Sequence, residues 1–222
     1  MAAVRPEGRH ELTAPRTVTV DTARLLRWID GFADRHGSFE PTVTSTEVAL
    51  TARDGSIAVI EVPFPPLVGT RIADLLAHVK QQRRVGVLIV RRGGYGAGVF
   101  EGARLESSKV GSSYVQGTTK AGGSSQKRYA RRRANQASHA FAEAADVAAR
   151  ILGETHLDAL VLGGDRPAVR TVLADRRLQH LEALVTGPWL EVKDPKLRVL
   201  EATAEQFLTA RIRITESDAS AQ

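Results

Sequence analysis

The sequence contains no cysteine among its 222 residues. It can therefore form no disulfide, no thiolate metal site and no cysteine nucleophile, which is typical of a protein in a reducing cytosol. No apolar run reaches the roughly 18 residues that a bilayer-spanning helix needs. The first ten residues, MAAVRPEGRH, also lack the hydrophobic core of a signal peptide. We therefore expect a soluble, cytoplasmic protein that makes no contact with a membrane.

Histidine is scarce as well, and the six histidines are scattered with no HExxH or comparable spacing. Metal motifs hold their ligands at short, fixed spacings. We therefore expect neither a metal centre nor a cofactor. What the chain does have is ordinary globular composition, with 42% hydrophobic and 25% charged residues, so it can bury a sizeable core.

The positive charge is concentrated in one stretch. The whole chain has 31 Lys and Arg against 25 Asp and Glu, a net charge of +6. Residues 104–133 contain 8 basic residues and one acid, which gives +7 and leaves −1 for the remainder. The charge therefore describes a local surface better than it describes the whole protein.

The hydrophobic pattern changes near residue 83. Upstream, residues 16–20 alternate as a strand does, and residues 42–62 predict a hairpin around a turn at 53–56. A helix after Asp21 or Thr22 has an apolar stripe, and a short helix at 71–82 completes the pattern. The residues of the stripe are Leu25, Leu26, Ile29 and Phe32.

Downstream, the continuous apolar runs VGVLIV at 85–90 and LDALVL at 157–162 are typical of strands at the centre of a sheet. A long helix is predicted from Ser124 or Ser125 to about Leu152. Asp165 is expected to be the N-cap of a following helix. The other predicted elements are strands at 97–101, 104–115 and 211–214, the last at the edge of either module, and helices at 167–173 and 195–207.

These elements predict an α/β fold, α+β overall, in two modules with a short tail. Residues 1–82 form a small α+β N-terminal positioning module. Residues 83–215 form a mixed-sheet layer domain with a long basic helix. Residues 216–222 are expected to be a flexible tail.

The segment QGTTKAGGSSQKRYARRRANQ, residues 116–136, departs from ordinary patterning. Its cations lie at a helix N-terminus, where the helix macrodipole favours acids. A polyanion explains them better than helix stability does, because guanidinium forks fit phosphate oxygens. The alternative is a solvated helix face. The candidate RNA-binding residues are Lys120, Lys127, Arg128, Arg131, Arg132 and Arg133.

The candidate catalytic residues lie between Lys120 and Lys127: Gly122, Gly123, Ser124, Ser125 and Gln126. Two glycines allow a close backbone approach to a substrate. A glutamine amide can orient a water molecule, and neighbouring N–H groups can stabilise a developing oxyanion. A flexible linker would have the same composition, so the string alone does not choose between a catalytic loop and a spacer.

From residue 85 to residue 207 the chain resembles the middle domain of eukaryotic and archaeal class-I peptide release factors. The likeness rests on the VGVLIV strand, the glycine-rich loop with its glutamine, the helix beginning KRYARRRANQ and the LDALVLGGD strand. It is most similar to the Vms-like release factors of ribosome quality control, of the actinobacterial type. This resemblance implies a release-factor-like catalytic domain.

The resemblance also implies a reaction, namely hydrolysis of peptidyl-tRNA on stalled large ribosomal subunits. Gln126 would occupy the catalytic glutamine position, Gly122 and Gly123 would let the loop enter a narrow RNA cavity, and the cations would bind rRNA and tRNA phosphates. One departure is the doubled serine, which separates Gly123 from Gln126 by two residues. Either the helix begins differently or the motif works as a looser Ser-Gln variant.

Two alternatives to the hydrolase remain. The first is a nuclease that cleaves tRNA near its CCA end. The second is a non-catalytic module that binds the ribosome or rRNA through the same helix, with the loop as a spacer.

Overall fold

In a computed structural model of the chain, residues 13–91, 93–112 and 125–217 are described, with the backbone alone between residues 125 and 135. They form two compact units. One contains residues 1–81 together with 209–222, and the other contains residues 82–208. The predicted domains differ in one respect, because we expected residues 209–215 in the second module.

The described residues contain nine strands and six α-helices. The strands are β1 (Arg16–Asp21), β2 (Phe39–Val43), β3 (Glu47–Ala52), β4 (Ile57–Glu61), β5 (Arg84–Arg91), β6 (Gly94–Glu101), β7 (Arg104–Ser112), β8 (Ala159–Gly164) and β9 (Thr209–Thr215). The helices are α1 (Leu25–His36), α2 (Ile72–Val79), α3 (Ser125–Ala148), α4 (Arg166–Leu173), α5 (Leu197–Glu201) and α6 (Ala204–Phe207).

The first unit is an antiparallel sheet in the order β1-β9-β4-β3-β2. Strand β9 pairs with β1 on one side and with β4 on the other. The prediction of an edge strand at 211–214 is therefore wrong. Ala210, Ile212 and Ile214 of β9 are buried in the core of this unit, so alternating apolar residues reflect one buried face of an interior strand.

Helix α1 packs on this sheet through Leu25, Ile29 and Phe32, all within a few per cent of full burial. Leu26, which we expected in the same stripe, is 48% exposed. Each helical residue is rotated by about 100° from the one before it, so Leu26 lies off the face defined by its three neighbours. The buried face ends with His36 instead.

The second unit contains a mixed sheet in the order β7-β6-β5-β8. Strands β5 and β8 are parallel, and β5 with β6 and β6 with β7 are antiparallel. The continuous apolar run of β5 occupies the interior of the sheet, where both faces are covered. The predicted mixed-sheet α/β fold is confirmed.

The two faces of this sheet are covered by different parts of the chain. On one face Leu88 and Val99 share an apolar cluster with Ala144 of α3 and Val169 of α4. On the other face, a Cβ at Gly98 would lie 3.2 Å from Leu200 of α5. Phe100 and Phe207 also meet edge to face, with ring centroids 5.3 Å apart. The sheet is therefore a central layer between two layers of helix.

The segment that we predicted as one helix over 195–207 forms two short helices, α5 and α6. Between them the hydroxyl of Thr203 donates a 2.6 Å hydrogen bond to the Leu200 carbonyl oxygen. Thr203 is completely buried, and such local side-chain bonds compete with the regular helical ladder. This bond accounts for the interruption that the apolar spacing did not reveal.

Candidate functional site

Helix α3 begins at Ser125, so Gln126 is its second residue. The first backbone N–H groups of any helix have no partner within the helix, and the macrodipole makes this end positive. Gln126 therefore lies beside N–H groups that are available to an anionic species. Gly122, Gly123, Ser124 and Lys120 lie outside the described residues, and so does the doubled-serine geometry.

Five of the six predicted RNA-binding cations follow within the first three turns of α3. Its first turn contains no acid, and no acid occurs along the sequence from Ser125 to Ala142. The structure describes these positions by their backbone: Lys127, Arg128, Arg131, Arg132 and Arg133. The helix therefore carries the cations and Gln126 on one continuous element.

The other end of α3 is anchored in the second unit. Ala144 and Ala148 are almost fully buried, and the helix continues through one π-helical turn, Ala149–Gly153, that buries Leu152. Small residues let the helix axis approach the sheet closely. Phe141 packs against the same cluster, and at 1.5 Å per residue Gln126 lies about 22 Å further along the axis.

The strand before the candidate loop ends against a glycine-rich part of the sheet. Ser112, the last described residue before residues 113–124, pairs with Gly94 at the start of β6. The next pair is Tyr95 and Gly111, where a Cβ on the glycine would lie 2.3 Å from the tyrosine ring. The Tyr95 ring therefore occupies the space of the missing side chain and fixes the end of β7.

The environment of Tyr95 also holds its hydroxyl in the neutral form. Burial is the largest cause of the raised pKa of Tyr95, and the nearby carboxylates of Glu143 and Asp146 raise it further. Arg150 opposes them. The hydroxyl is thus a neutral phenol at physiological pH, positioned beside Gly111 at the end of β7.

A second group of side chains lies at the carboxyl ends of the parallel strands β5 and β8. Arg91 donates to the Val192 carbonyl oxygen, and its guanidinium lies 3.6 Å from Asp165. The Trp189 indole donates a 3.0 Å bond to the Gly164 carbonyl oxygen. Arg166 covers the Trp189 ring, with Cζ 4.2 Å from the ring centroid.

Sequence reasoning missed this group. Asp165 does precede α4 as predicted, but its carboxylate makes no capping hydrogen bond and lies beside Arg91 instead. The Trp189 ring also contacts the apolar cluster. Arg166 and Trp189 are 23 positions apart in the sequence, and no spacing rule predicts their contact. A backbone bridge between Gly163 and Leu190 brings the two side chains together.

The first unit contains a histidine–aspartate pair that resembles part of a hydrolytic triad. His36 Nδ1 lies 2.8 Å from Asp54 Oδ2. The Ser56 hydroxyl, however, donates to Asp54 and accepts from the Ser217 backbone N–H. Ser56 is completely buried and is directed at the carboxylate, not at the imidazole, so this arrangement is not that of a serine nucleophile.

The pKa of Asp54 reflects the same contacts. Burial acts to raise it, but the Ser56 backbone N–H, the His36 ring and the Ser56 hydroxyl outweigh burial, and the pKa lies below its ordinary value. Asp54 is therefore a carboxylate at neutral pH. It links the end of α1, the β3–β4 turn and the segment after β9.

The described residues show neither a metal-binding group nor a membrane-spanning helix. Within residues 13–91, 93–112 and 125–217, no three His, Asp or Glu side chains form a group that could hold a metal ion. Among the helices described there, none is long and apolar enough to cross a membrane.

The solved structures that are similar to this chain include two archaeal proteins. The first is the archaeal translation termination factor aRF1, with 18% identity, a TM-score of 0.43 and coverage of 71% of this chain and 49% of the other. The second is described as an archaeal protein, with 17% identity, a TM-score of 0.37 and coverage of 71% and 52%. The chain thus spans about half the length of each structure. No curated protein matches the chain.

Comparison with protein families gives a match over residues 83–213. These residues are more than half of the chain and include β5, the whole of α3 and the strand β8. They therefore contain every candidate catalytic and RNA-binding residue. The chain belongs to the family of Actinobacteria/chloroflexi VLRF1 release factors.

Proposed function

We propose that the protein is a peptidyl-tRNA hydrolase that releases nascent chains from stalled large ribosomal subunits. Its family gives it a translation-related role on the ribosome and implies interaction with ribosome and tRNA. The observation that carries the finer proposal is the position of Gln126 in the first turn of α3, inside the matched residues and next to the glycine-rich loop.

The proposed chemistry needs few protein groups. Water attacks the ester carbonyl that joins the peptide to the tRNA, the carbonyl oxygen becomes an oxyanion, and the tRNA hydroxyl leaves with a proton. The Gln126 amide would position the water, and backbone N–H groups at the start of α3 would stabilise the oxyanion. Glutamine is neither an acid nor a base at neutral pH, so proton transfer would use groups of the ribosome and tRNA.

The basic part of α3 would hold the protein on RNA while this reaction occurs. Cations at a helix N-terminus oppose the macrodipole, at a typical cost of about 0.3–1 kcal/mol for each one in the first turn, which here contains Lys127 and Arg128. Phosphate oxygens would offset that cost on binding. Lys120, Lys127, Arg128, Arg131, Arg132 and Arg133 are the proposed phosphate ligands. Gly122 and Gly123 would allow the loop to approach the ester, and Ser124 and Ser125 would join them to the helix.

The test compares two glutamines of one helix. Purified Gln126→Ala and Gln136→Ala variants are incubated with stalled large subunits that carry peptidyl-tRNA, and release and subunit binding are measured separately. We expect Gln126→Ala to slow release by about 10²–10³-fold, the usual effect of removing one oxyanion or water-positioning group, with binding retained. Gln136→Ala should release peptide as the wild type does. Undiminished release by Gln126→Ala would overturn the role of Gln126.

The 3′ end of the tRNA after the reaction separates the three functions. An intact 3′ end with free peptide indicates ester hydrolysis. A shortened tRNA indicates a nuclease. Retained peptidyl-tRNA with the protein bound indicates a non-catalytic module, in which case reversing the charges of Arg131, Arg132 and Arg133 should abolish binding without changing any product.

A further inference from the structure

The Arg166–Trp189 pair lies at the same end of the second sheet as Ser112, after which the candidate loop begins. Across this end of the sheet, Ser112 pairs with Gly94, Gly94 pairs with Arg91, and Val90 pairs with Gly164. Neighbouring strands are about 4.8 Å apart, so three steps place Gly164 about 14 Å from Ser112. Arg166 follows Gly164 by two residues.

The Arg166 guanidinium lies over an aromatic ring that is itself fixed. Trp189 donates its indole N–H to the Gly164 carbonyl oxygen at 3.0 Å and packs against the apolar cluster with its body. The Arg166 guanidinium stacks 4.2 Å from the centre of that ring, and the residue is exposed. We call this pair the arginine platform. Stacking orders the guanidinium before any ligand arrives.

The charge of the platform is not balanced by nearby acids. Among the residues that the structure describes, no carboxylate lies within 4.0 Å of the Arg166 guanidinium, whereas Arg91 beside it is neutralised by Asp165. Arg170, exposed on the next turn of α4, adds a second cation on the same helix face. Helix α4 itself, Arg166–Leu173, has no acidic residue.

We propose that the arginine platform is a second RNA-binding site, in which Arg166 stacks on an unpaired base and Arg170 contacts the adjoining phosphate. An ordered guanidinium plane with an aromatic support recognises splayed-out bases, and exposed arginines recognise phosphates. The inference rests on the proposed function because it takes RNA to be the ligand of the arginine platform.

This site is separate from the cations of α3. Helix α3 carries its cations about 12–21 Å from Phe141 along its axis, whereas the platform lies at the carboxyl ends of β5 and β8. Two RNA contacts at separated positions would fix the direction of α3 relative to the RNA, which one contact cannot do. The platform is therefore a positioning site, and its loss should affect binding more than the chemical step.

The experiment measures binding of the full chain to two purified probes, deacylated tRNA and large ribosomal subunits, over a series of salt concentrations. Three variants are compared: Arg166→Ala, Arg166→Lys and the control Arg104→Ala. Arg104 is an exposed arginine of β7 at the opposite end of the same sheet, where its side chain forms an ion pair with Glu106. The probe whose affinity changes identifies the RNA as tRNA or as rRNA.

We expect Arg166→Ala to weaken binding to one probe about tenfold, in the range reported for a single base stacked on a side chain. The slope of log affinity against log salt should change little, because the slope counts phosphate contacts and the proposed phosphate contact is that of Arg170. Arg166→Lys should keep the slope and still lose affinity, because an ammonium has no plane to stack. The inference fails if Arg166→Ala binds both probes as Arg104→Ala does, or if Arg166→Lys fully restores affinity.

Release assays with the same variants distinguish this inference from the proposed function. On stalled subunits, Arg166→Ala should raise KM and leave kcat unchanged, whereas Gln126→Ala should lower kcat. If Gln126→Ala releases peptide normally while Arg166→Ala loses RNA affinity, the proposed chemistry fails and the platform stands. If only Gln126→Ala has an effect, the proposed function stands and the platform fails.

Discussion

Replacing Gly163 by alanine should loosen the platform by displacing the strand-like segment beneath it. A Cβ at Gly163 would lie 2.7 Å from the Cβ and 2.8 Å from the carbonyl oxygen of Leu190, and backbone atoms cannot rotate away. The segment is held by two backbone hydrogen bonds, from Leu190 N–H to Leu162 and from Gly164 N–H to Leu190, of 2.9 and 3.2 Å.

The expected cost follows from these contacts. Overpacking of a well-filled site typically costs about 1–3 kcal/mol, and weakening two hydrogen bonds adds about 0.5–1.5 kcal/mol each. The lower chain entropy of unfolded alanine offsets about 0.4–1 kcal/mol. We therefore expect a loss of about 1–5 kcal/mol in the free energy of unfolding, and a fall in Tm of about 2–20 °C for a chain of this size.

Urea unfolding followed by tryptophan emission tests this expectation. The chain has two tryptophans, so in a Trp28→Phe background the emission reports Trp189 alone. Gly93→Ala is the matched control, because no described atom lies within 4 Å of a Cβ at that position. The reasoning is refuted if Gly163→Ala and Gly93→Ala have the same urea midpoint and the same emission maximum.

Three further predictions concern stability. Leu160→Ala removes a fully buried side chain from β8 and should lower the free energy of unfolding by about 3–5 kcal/mol, measured by urea titration; a loss under 1 kcal/mol would contradict the assigned core. Asp54→Asn weakens the bonds to His36 and Ser56 and should cost about 1–2 kcal/mol at pH 7. Because the folded pKa of Asp54 lies below its ordinary value of 3.8, this difference should be complete above pH 3.8 and vanish as the pH falls through the folded pKa; a difference that persists at lower pH would contradict it. Removing residues 209–222 takes away the described sheet partner of β1, and should abolish hydrogen-exchange protection of β1 and β4 while β5 remains protected.

Local pattern predicted much of the second unit. The runs that form β5 and β8 are continuous and apolar because both faces of the sheet are covered, and such runs are visible without any tertiary information. The long helix was visible from its three-to-four spacing of small residues. Its first residue, Ser125, is one of the two predicted starts.

Tertiary pairing determined the features that the pattern did not reveal. The alternation of residues 211–214 indicates a strand but not its sheet, and β9 pairs with strands that lie more than 150 positions earlier in the chain. Arg166 and Trp189 meet only because Leu190 runs beside Gly163. His36 is buried because Asp54, from a distant turn, accepts its hydrogen bond. Each case depends on a contact between segments that are remote in sequence.

The position of β9 also sets the order in which the protein can fold during its synthesis. The first unit lacks its interior strand until residues 209–215 have been made, and the whole second unit lies before them in the chain. At about 5–20 residues per second, those roughly 130 residues take about 6–25 s to synthesise. During that interval β1 and β4 have no β9 between them. The release-factor-like unit can thus be complete before the unit that encloses it in sequence.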